Sequence, residues 1–104
     1  MTVLQIRALL AAVSLMGCAG AASAGPVESA CMASARASGN AALCGCVQKV
    51  ADVTLSGPDQ RLVAQFFLDP DKAERVRMDP SASANEFWQR YTQFGEKAEM
   101  TCKG

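Results

Sequence analysis

Cysteine is the residue type in this chain that offers the most chemistry. Four of its five cysteines, Cys31, Cys44, Cys46 and Cys102, follow the apolar N-terminal segment. An even number of cysteines in a small exported chain usually forms disulfides, and we predict two here. The alternative is that Cys44-Gly45-Cys46 holds a thiol-based redox pair or a soft-metal site, because thiolates bind zinc and copper(I).

The spacing of Cys44 and Cys46 argues against a bond between these two residues. On a helix their side chains point about 200° apart, whereas a disulfide needs Cβ atoms about 3.8 Å from each other. If the first two helices form an antiparallel hairpin, Cys31 and Cys46 lie at similar distances from the break between them. We therefore predict the pairs Cys31–Cys46 and Cys44–Cys102. A small shift in register would give Cys31–Cys44 and Cys46–Cys102 instead.

Side chains for other chemistry are sparse. The chain contains no histidine, which removes the usual general base at neutral pH and the commonest metal ligand. Its acidic residues are scattered, and no residue pattern activates a serine or binds a phosphate. Ten basic residues balance ten acidic residues, so the net charge does not indicate a nucleic-acid partner. We therefore expect no catalysis, no cofactor, no metal and no nucleic acid.

Four residues could form a ligand or partner surface. Arg75, Arg77 and Arg90 would suit an anion, although a solvated charged face is the simpler interpretation of such residues. Trp88 lies beside an aromatic stripe on the last predicted helix, where a core role is more common than a ligand-binding role. These four residues are the predicted partner surface.

Residues 1–24 have the pattern of a secretory signal peptide. Arg7 is the only charged residue before Glu28, the intervening run is apolar, and Ala22-Ser23-Ala24 is typical of a cleavage site. We expect cleavage after Ala24 and a periplasmic or secreted protein with no membrane span after removal of the signal. The alternative is a lipoprotein anchored at Cys18, whose preceding residues loosely resemble a lipobox.

Residues 25–104 are predicted to be one all-α domain, a small bundle of four to five short helices stapled by two disulfides. Helical spacing of apolar residues, interrupted by glycine and proline, predicts helices over about 26–36, 41–55, 57–68 and 70–78. A last helix should follow a capping box at Ser83–Glu86. Gly95, inside that helix, is expected to mark a close contact. The stripe of this helix that should face the core comprises Phe87, Tyr91, Phe94, Ala98 and Cys102.

Several segments carry a resemblance to a group of proteins. The segments Gly25–Cys31, Leu43–Val47, Asp69-Pro70 and Phe87–Tyr91, with closure at Cys102, resemble short exported proteins of alphaproteobacteria that are often labelled "arginine transporter". The resemblance covers essentially all of the chain after the signal. Because no spanning segment follows the signal, it implies an accessory role near a transport system, and it implies no catalytic residues.

The expected function is therefore a small periplasmic binding or interaction protein without catalysis. It would act as a monomer on an unknown protein or small-molecule partner. The alternative function is thiol-based redox chemistry or soft-metal handling through Cys44 and Cys46.

Overall fold

The computed structural model describes residues 25–37 and 39–103. The predicted signal peptide, its cleavage site after Ala24 and the lipidation alternative at Cys18 lie outside these residues. The described part forms five helices and contains no strand, which confirms the all-α prediction. The helices are α1 (Pro26–Ala33), α2 (Ala41–Thr54), α3 (Gly57–Leu68), α4 (Pro70–Met78) and α5 (Ala82–Thr101).

Helix α1 ends earlier than the sequence pattern predicts, at Ala33 instead of near Arg36. The buried Ser34 ends it, because its backbone N–H and its Oγ both donate hydrogen bonds to the carbonyl oxygen of Cys31, at 3.1 and 2.8 Å. A serine that bonds to its local backbone in this way competes with helix continuation. Gly39, with a φ of 79°, makes the turn toward α2 in a backbone region that favours glycine.

The later helix starts follow from short polar side chains. Asn40 and Ser56 cap α2 and α3, each accepting a hydrogen bond from the backbone N–H of the third residue after it. The predicted capping box at Ser83 is wrong, because α5 is capped by Ser81, whose Oγ accepts a hydrogen bond from Ala84 N–H. Asp79 holds Ser81 in place by accepting its backbone N–H at 2.9 Å, and the helix therefore begins earlier.

The hydrophobic core forms where α1, α2, α3 and α5 meet. Its buried residues are Val27, Val50, Ala51, Leu55, Val63, Phe66, Phe87 and Phe94. Helix α4 carries no buried residue and lies against α3 and α5, with Ala73 and Val76 half-buried. The predicted stripe of α5 does face the core, since Tyr91, Ala98 and Cys102 are half-buried against it.

A buried amide network that the sequence pattern does not indicate joins α1, α2 and α3. Gly25 has no side chain with which to cap α1, so Gln48 Oε1 accepts the Glu28 backbone N–H instead, at 2.8 Å. Gln48 Nε2 donates to Asp52 Oδ1 and to Gln60 Oε1, both at 2.8 Å. A Cβ atom on Gly25 would overlap the Gln48 carboxamide. The network therefore depends on glycine at this position.

Two disulfides tie the helices together, but the predicted pairing is wrong. The bonds are Cys31–Cys44 and Cys46–Cys102, with Cα atoms 5.6 and 5.7 Å apart. Because α1 ends early, Cys31 lies about one turn before its end, level with Cys44 about one turn after the start of α2. The register alternative is thus the observed one. Two disulfides indicate a non-reducing environment.

Candidate functional site

The three arginines of the predicted partner surface are each paired with a different carboxylate. The pairs are Arg75–Asp69 at 3.2 Å, Arg77–Glu74 at 2.7 Å and Arg90–Asp59 at 2.6 Å. The third pair joins α5 to α3, and the Asp59 side chain is only 12% exposed. Its hydrogen bond raises the pKa of Arg90, which keeps that guanidinium charged. An anion-binding role for these arginines stays a prediction.

Trp88, the fourth predicted surface residue, is half-buried against the core. Its ring centroid lies 5.0 Å from that of Tyr91 and 6.4 Å from that of Phe66. Phe66 and Tyr91 are themselves in edge contact at 5.2 Å. Trp88 therefore belongs to the aromatic packing between α3 and α5.

A concave surface that the sequence does not predict lies beside this packing. It is a cleft of about 640 Å³, which we call the α1–α4 cleft, and it falls in the size range of small-molecule sites. The turn after α1 forms one wall, the end of α3 and the start of α4 form the other, and Tyr91 of α5 completes it. The lining residues are Ala33, Ser34, Ala35, Arg36, Phe66, Phe67, Leu68, Pro70, Asp71, Ala73, Glu74 and Tyr91.

Most of this lining is apolar, and three of its side chains are charged. Arg36 lies on the α1 wall, and Asp71 and Glu74 lie on the α4 wall. The hydrogen bond and charge of Arg77 lower the pKa of Glu74, so this carboxylate is ionised and already paired. No ion pair within the described residues engages Arg36 or Asp71. The cleft therefore offers one cation and one anion to a ligand.

Tyr91 places a phenol group among the apolar residues of the cleft. Burial raises the pKa of Tyr91 above its ordinary value, and the positive charge of Arg36 acts in the opposite direction. The phenol is consequently neutral near pH 7, and its hydroxyl group can donate or accept a hydrogen bond.

The cleft and the predicted partner surface are made of different residues. Neither Trp88 nor any of Arg75, Arg77 and Arg90 lines the cleft, although Arg77 holds the lining residue Glu74. Three separate stretches of the chain line the cleft, so no local sequence motif indicates it.

The two disulfides differ in their surroundings. Cys31 and Cys44 are 1% and 0% exposed, whereas Cys46 and Cys102 are half-buried. The second bond lines a smaller cleft of about 340 Å³ together with Leu43, Thr101 and Lys103. Cys44 and Cys46 belong to different disulfides, so they do not form a free dithiol here.

The described residues contain neither a metal-ligating cluster nor a membrane-spanning helix. In residues 25–37 and 39–103, no group of three or more His, Cys, Asp and Glu side chains could hold a metal ion. None of the five described helices combines the length and the apolar character required for a membrane crossing.

The chain matches no family model, no curated protein and no solved structure.

Proposed function

We propose that the protein is a small periplasmic binding or interaction protein that acts as a monomer and without catalysis, and that it binds its ligand in the α1–α4 cleft. The observation that carries this proposal is the cleft itself. Its volume of about 640 Å³, its aromatic and aliphatic lining and its few charged groups are typical of ligand sites.

A rigid frame supports the proposal, because a preorganised site loses less entropy on binding. The buried Cys31–Cys44 bond fixes the end of α1, from which Ser34 and Arg36 extend into one wall of the cleft. The opposite wall follows from the Leu68–Pro70 break between α3 and α4, where proline sets the start of the new helix.

The charges favour a small zwitterion with an apolar part. A carboxylate would pair with Arg36, an ammonium group would pair with Asp71, and the apolar part would contact Phe67 and Tyr91. Free amino acids have this chemistry. The resemblance to the group labelled "arginine transporter" makes L-arginine one specific ligand to test. It also implies an accessory role in arginine transport.

The fluorescence of Trp88 can report binding in the cleft. It is the only tryptophan, and it packs against Phe66 and Tyr91, which both line the cleft. We expect L-phenylalanine, L-leucine or L-arginine to change the Trp88 fluorescence in a saturable way, with calorimetry as a second readout. The amides of the same amino acids lack the carboxylate and should bind more weakly.

Two phenylalanine substitutions make a matched pair for this test. Ala35→Phe fills the cleft from an exposed position and should weaken binding by about tenfold or more. Ala41 is also exposed but lies outside the cleft, so Ala41→Phe should leave affinity unchanged. If none of the three amino acids gives a saturable signal by fluorescence or heat, the proposal of a zwitterion site is wrong.

The alternative function uses Cys44 and Cys46 for redox chemistry or soft-metal binding. Because these cysteines lie in different disulfides, both bonds would have to be reduced before the two sulfurs could act together. Thiol counting on the exported protein separates the two functions. The binding function predicts no free thiol in the exported protein, and a labile pair formed by Cys44 and Cys46, or a bound metal, would support the alternative.

A further inference from the structure

The two disulfides differ sharply in how easily a dissolved thiol could reach them. Cys31 and Cys44 are almost completely enclosed, at 1% and 0% exposure. Cys46 and Cys102 are half-buried, and both line the 340 Å³ cleft, which is open to solvent. Since thiol–disulfide exchange requires a thiolate to approach a sulfur atom, only the second bond is open to attack in the folded state.

The end of α5 adds a second reason, because it contains no buried residue. Phe94 is the last buried residue of this helix. Beyond it, Ala98 and Cys102 are half-buried against the core, whereas Met100 is 71% exposed. A Cβ atom on Gly95 would have no neighbour within 4 Å, so no other segment packs closely there. The last two turns therefore contribute no buried residue to the core.

We propose that Cys46–Cys102 is a thiol-exchange site, which a dithiol reductant opens while Cys31–Cys44 stays intact. A thiolate of the reductant attacks one sulfur of the Cys46–Cys102 bond and forms a mixed disulfide with that cysteine. The other cysteine leaves as a thiolate. The second thiol of the reductant then attacks the mixed disulfide and releases the oxidised, cyclic reductant. Two electrons pass to the protein, and the two thiolates take up protons from water and the reductant.

The surroundings of the bond suit this exchange. Lys103 lines the same cleft and follows Cys102 directly in the chain, and a positive charge near a disulfide stabilises the leaving thiolate. Reduction would remove the covalent link between the end of α5 and α2. The bond thus controls a local rearrangement, because the remaining disulfide still joins α1 to α2.

The test uses the oxidised protein, dithiothreitol as the dithiol, and quenching with N-ethylmaleimide at successive times. Trypsin separates the cysteines into three peptides, since it cleaves after Arg36, Lys49 and Lys97. Fragmentation at Gly45 distinguishes Cys44 from Cys46 within one peptide. We expect Cys46 and Cys102 to be labelled together, at least about tenfold faster than the other pair.

Two double variants isolate each bond. Cys31→Ala/Cys44→Ala keeps only the half-buried bond, and Cys46→Ala/Cys102→Ala keeps only the enclosed one. Circular dichroism first establishes that each variant is folded, and the labelling of the wild-type protein stands independently of them. The first variant should be reduced at least about tenfold faster than the second in buffer. In concentrated guanidinium chloride the two rates should converge, because the difference comes from the fold. Equal rates in buffer, or earlier labelling of Cys31 and Cys44, would overturn the proposal.

Discussion

The amide network around Gln48 makes the sharpest prediction about stability. We consider Gln48→Leu, which keeps the approximate volume of the side chain and removes its hydrogen bonds. The Glu28 N–H then loses its acceptor, and Gln60 Oε1 loses the Gln48 Nε2 donor. Losing a helix cap costs about 1 kcal/mol, and an unpaired buried polar atom costs about 1–3 kcal/mol. We expect the free energy of unfolding to fall by about 2–4 kcal/mol.

Urea unfolding of the oxidised protein, followed by circular dichroism, measures this loss. Gln93→Leu is the matched control, because Gln93 is exposed on α5, and it should change the free energy by less than about 0.5 kcal/mol. Both variants keep the disulfides, so the unfolded states are comparable. A Gln48→Leu midpoint equal to that of the control would show that the network contributes nothing.

A double-mutant cycle tests whether Gln48 and Gln60 act as one unit. Removing both amides leaves no unpaired Gln60 Oε1, so Gln48→Leu/Gln60→Leu should lose less than the sum of the single variants. The expected coupling is about 0.5–3 kcal/mol. Additive losses would refute the direct bond between the two side chains.

Three further predictions concern the core, the pH dependence and the processing. Phe94→Ala should lower the free energy of unfolding by about 3–5 kcal/mol, since Phe94 is 4% exposed, while Val53→Ala at a 74% exposed position should change it little in the same urea titration. Burial raises the pKa of Tyr91 in the folded state. As the pH rises past about 10, the phenol therefore ionises in the unfolded state first, and the free energy of unfolding falls until the pH has passed the folded-state pKa. Unfolding titrations across this range should show a smaller loss in Tyr91→Phe than in the wild type. Mass spectrometry of the exported protein should give Gly25 as its first residue, and an acylated Cys18 would instead make it a lipoprotein.

The helix boundaries could be predicted where proline sets them. Helices α3 and α4 begin beside Pro58 and Pro70, and their observed ends agree with the predicted ones. Helix α1 has no such marker at its end. It stops because Ser34 is buried and bonds back to Cys31, which depends on tertiary packing. The error in the disulfide pairing follows from this one boundary, since a longer α1 brings Cys31 level with Cys46.

The roles of the glycines were harder to predict than the helices. Gly95 was expected to mark a close contact, and this is wrong, because nothing lies within 4 Å of a Cβ placed there. Gly25 is the position where a side chain would collide, with Gln48. Gly25 and Gln48 are distant in sequence, and they come into contact only when α1 packs on α2. The same reason hides the α1–α4 cleft, whose walls come from separate segments.

The spacing of Cys44 and Cys46 explains why one small domain contains two kinds of disulfide. Two residues along a helix turn the side chain by about 200°, so the two sulfurs leave α2 on opposite sides. Cys44 faces α1 in the interior, where its bond lies next to one wall of the α1–α4 cleft. Cys46 faces the end of α5 near the surface, where its bond lies beside solvent and Lys103. Cys44 and Cys46 thus form their disulfides on opposite sides of α2. Reduction at the surface can alter the end of α5 and still leave the wall that presents Arg36 in place.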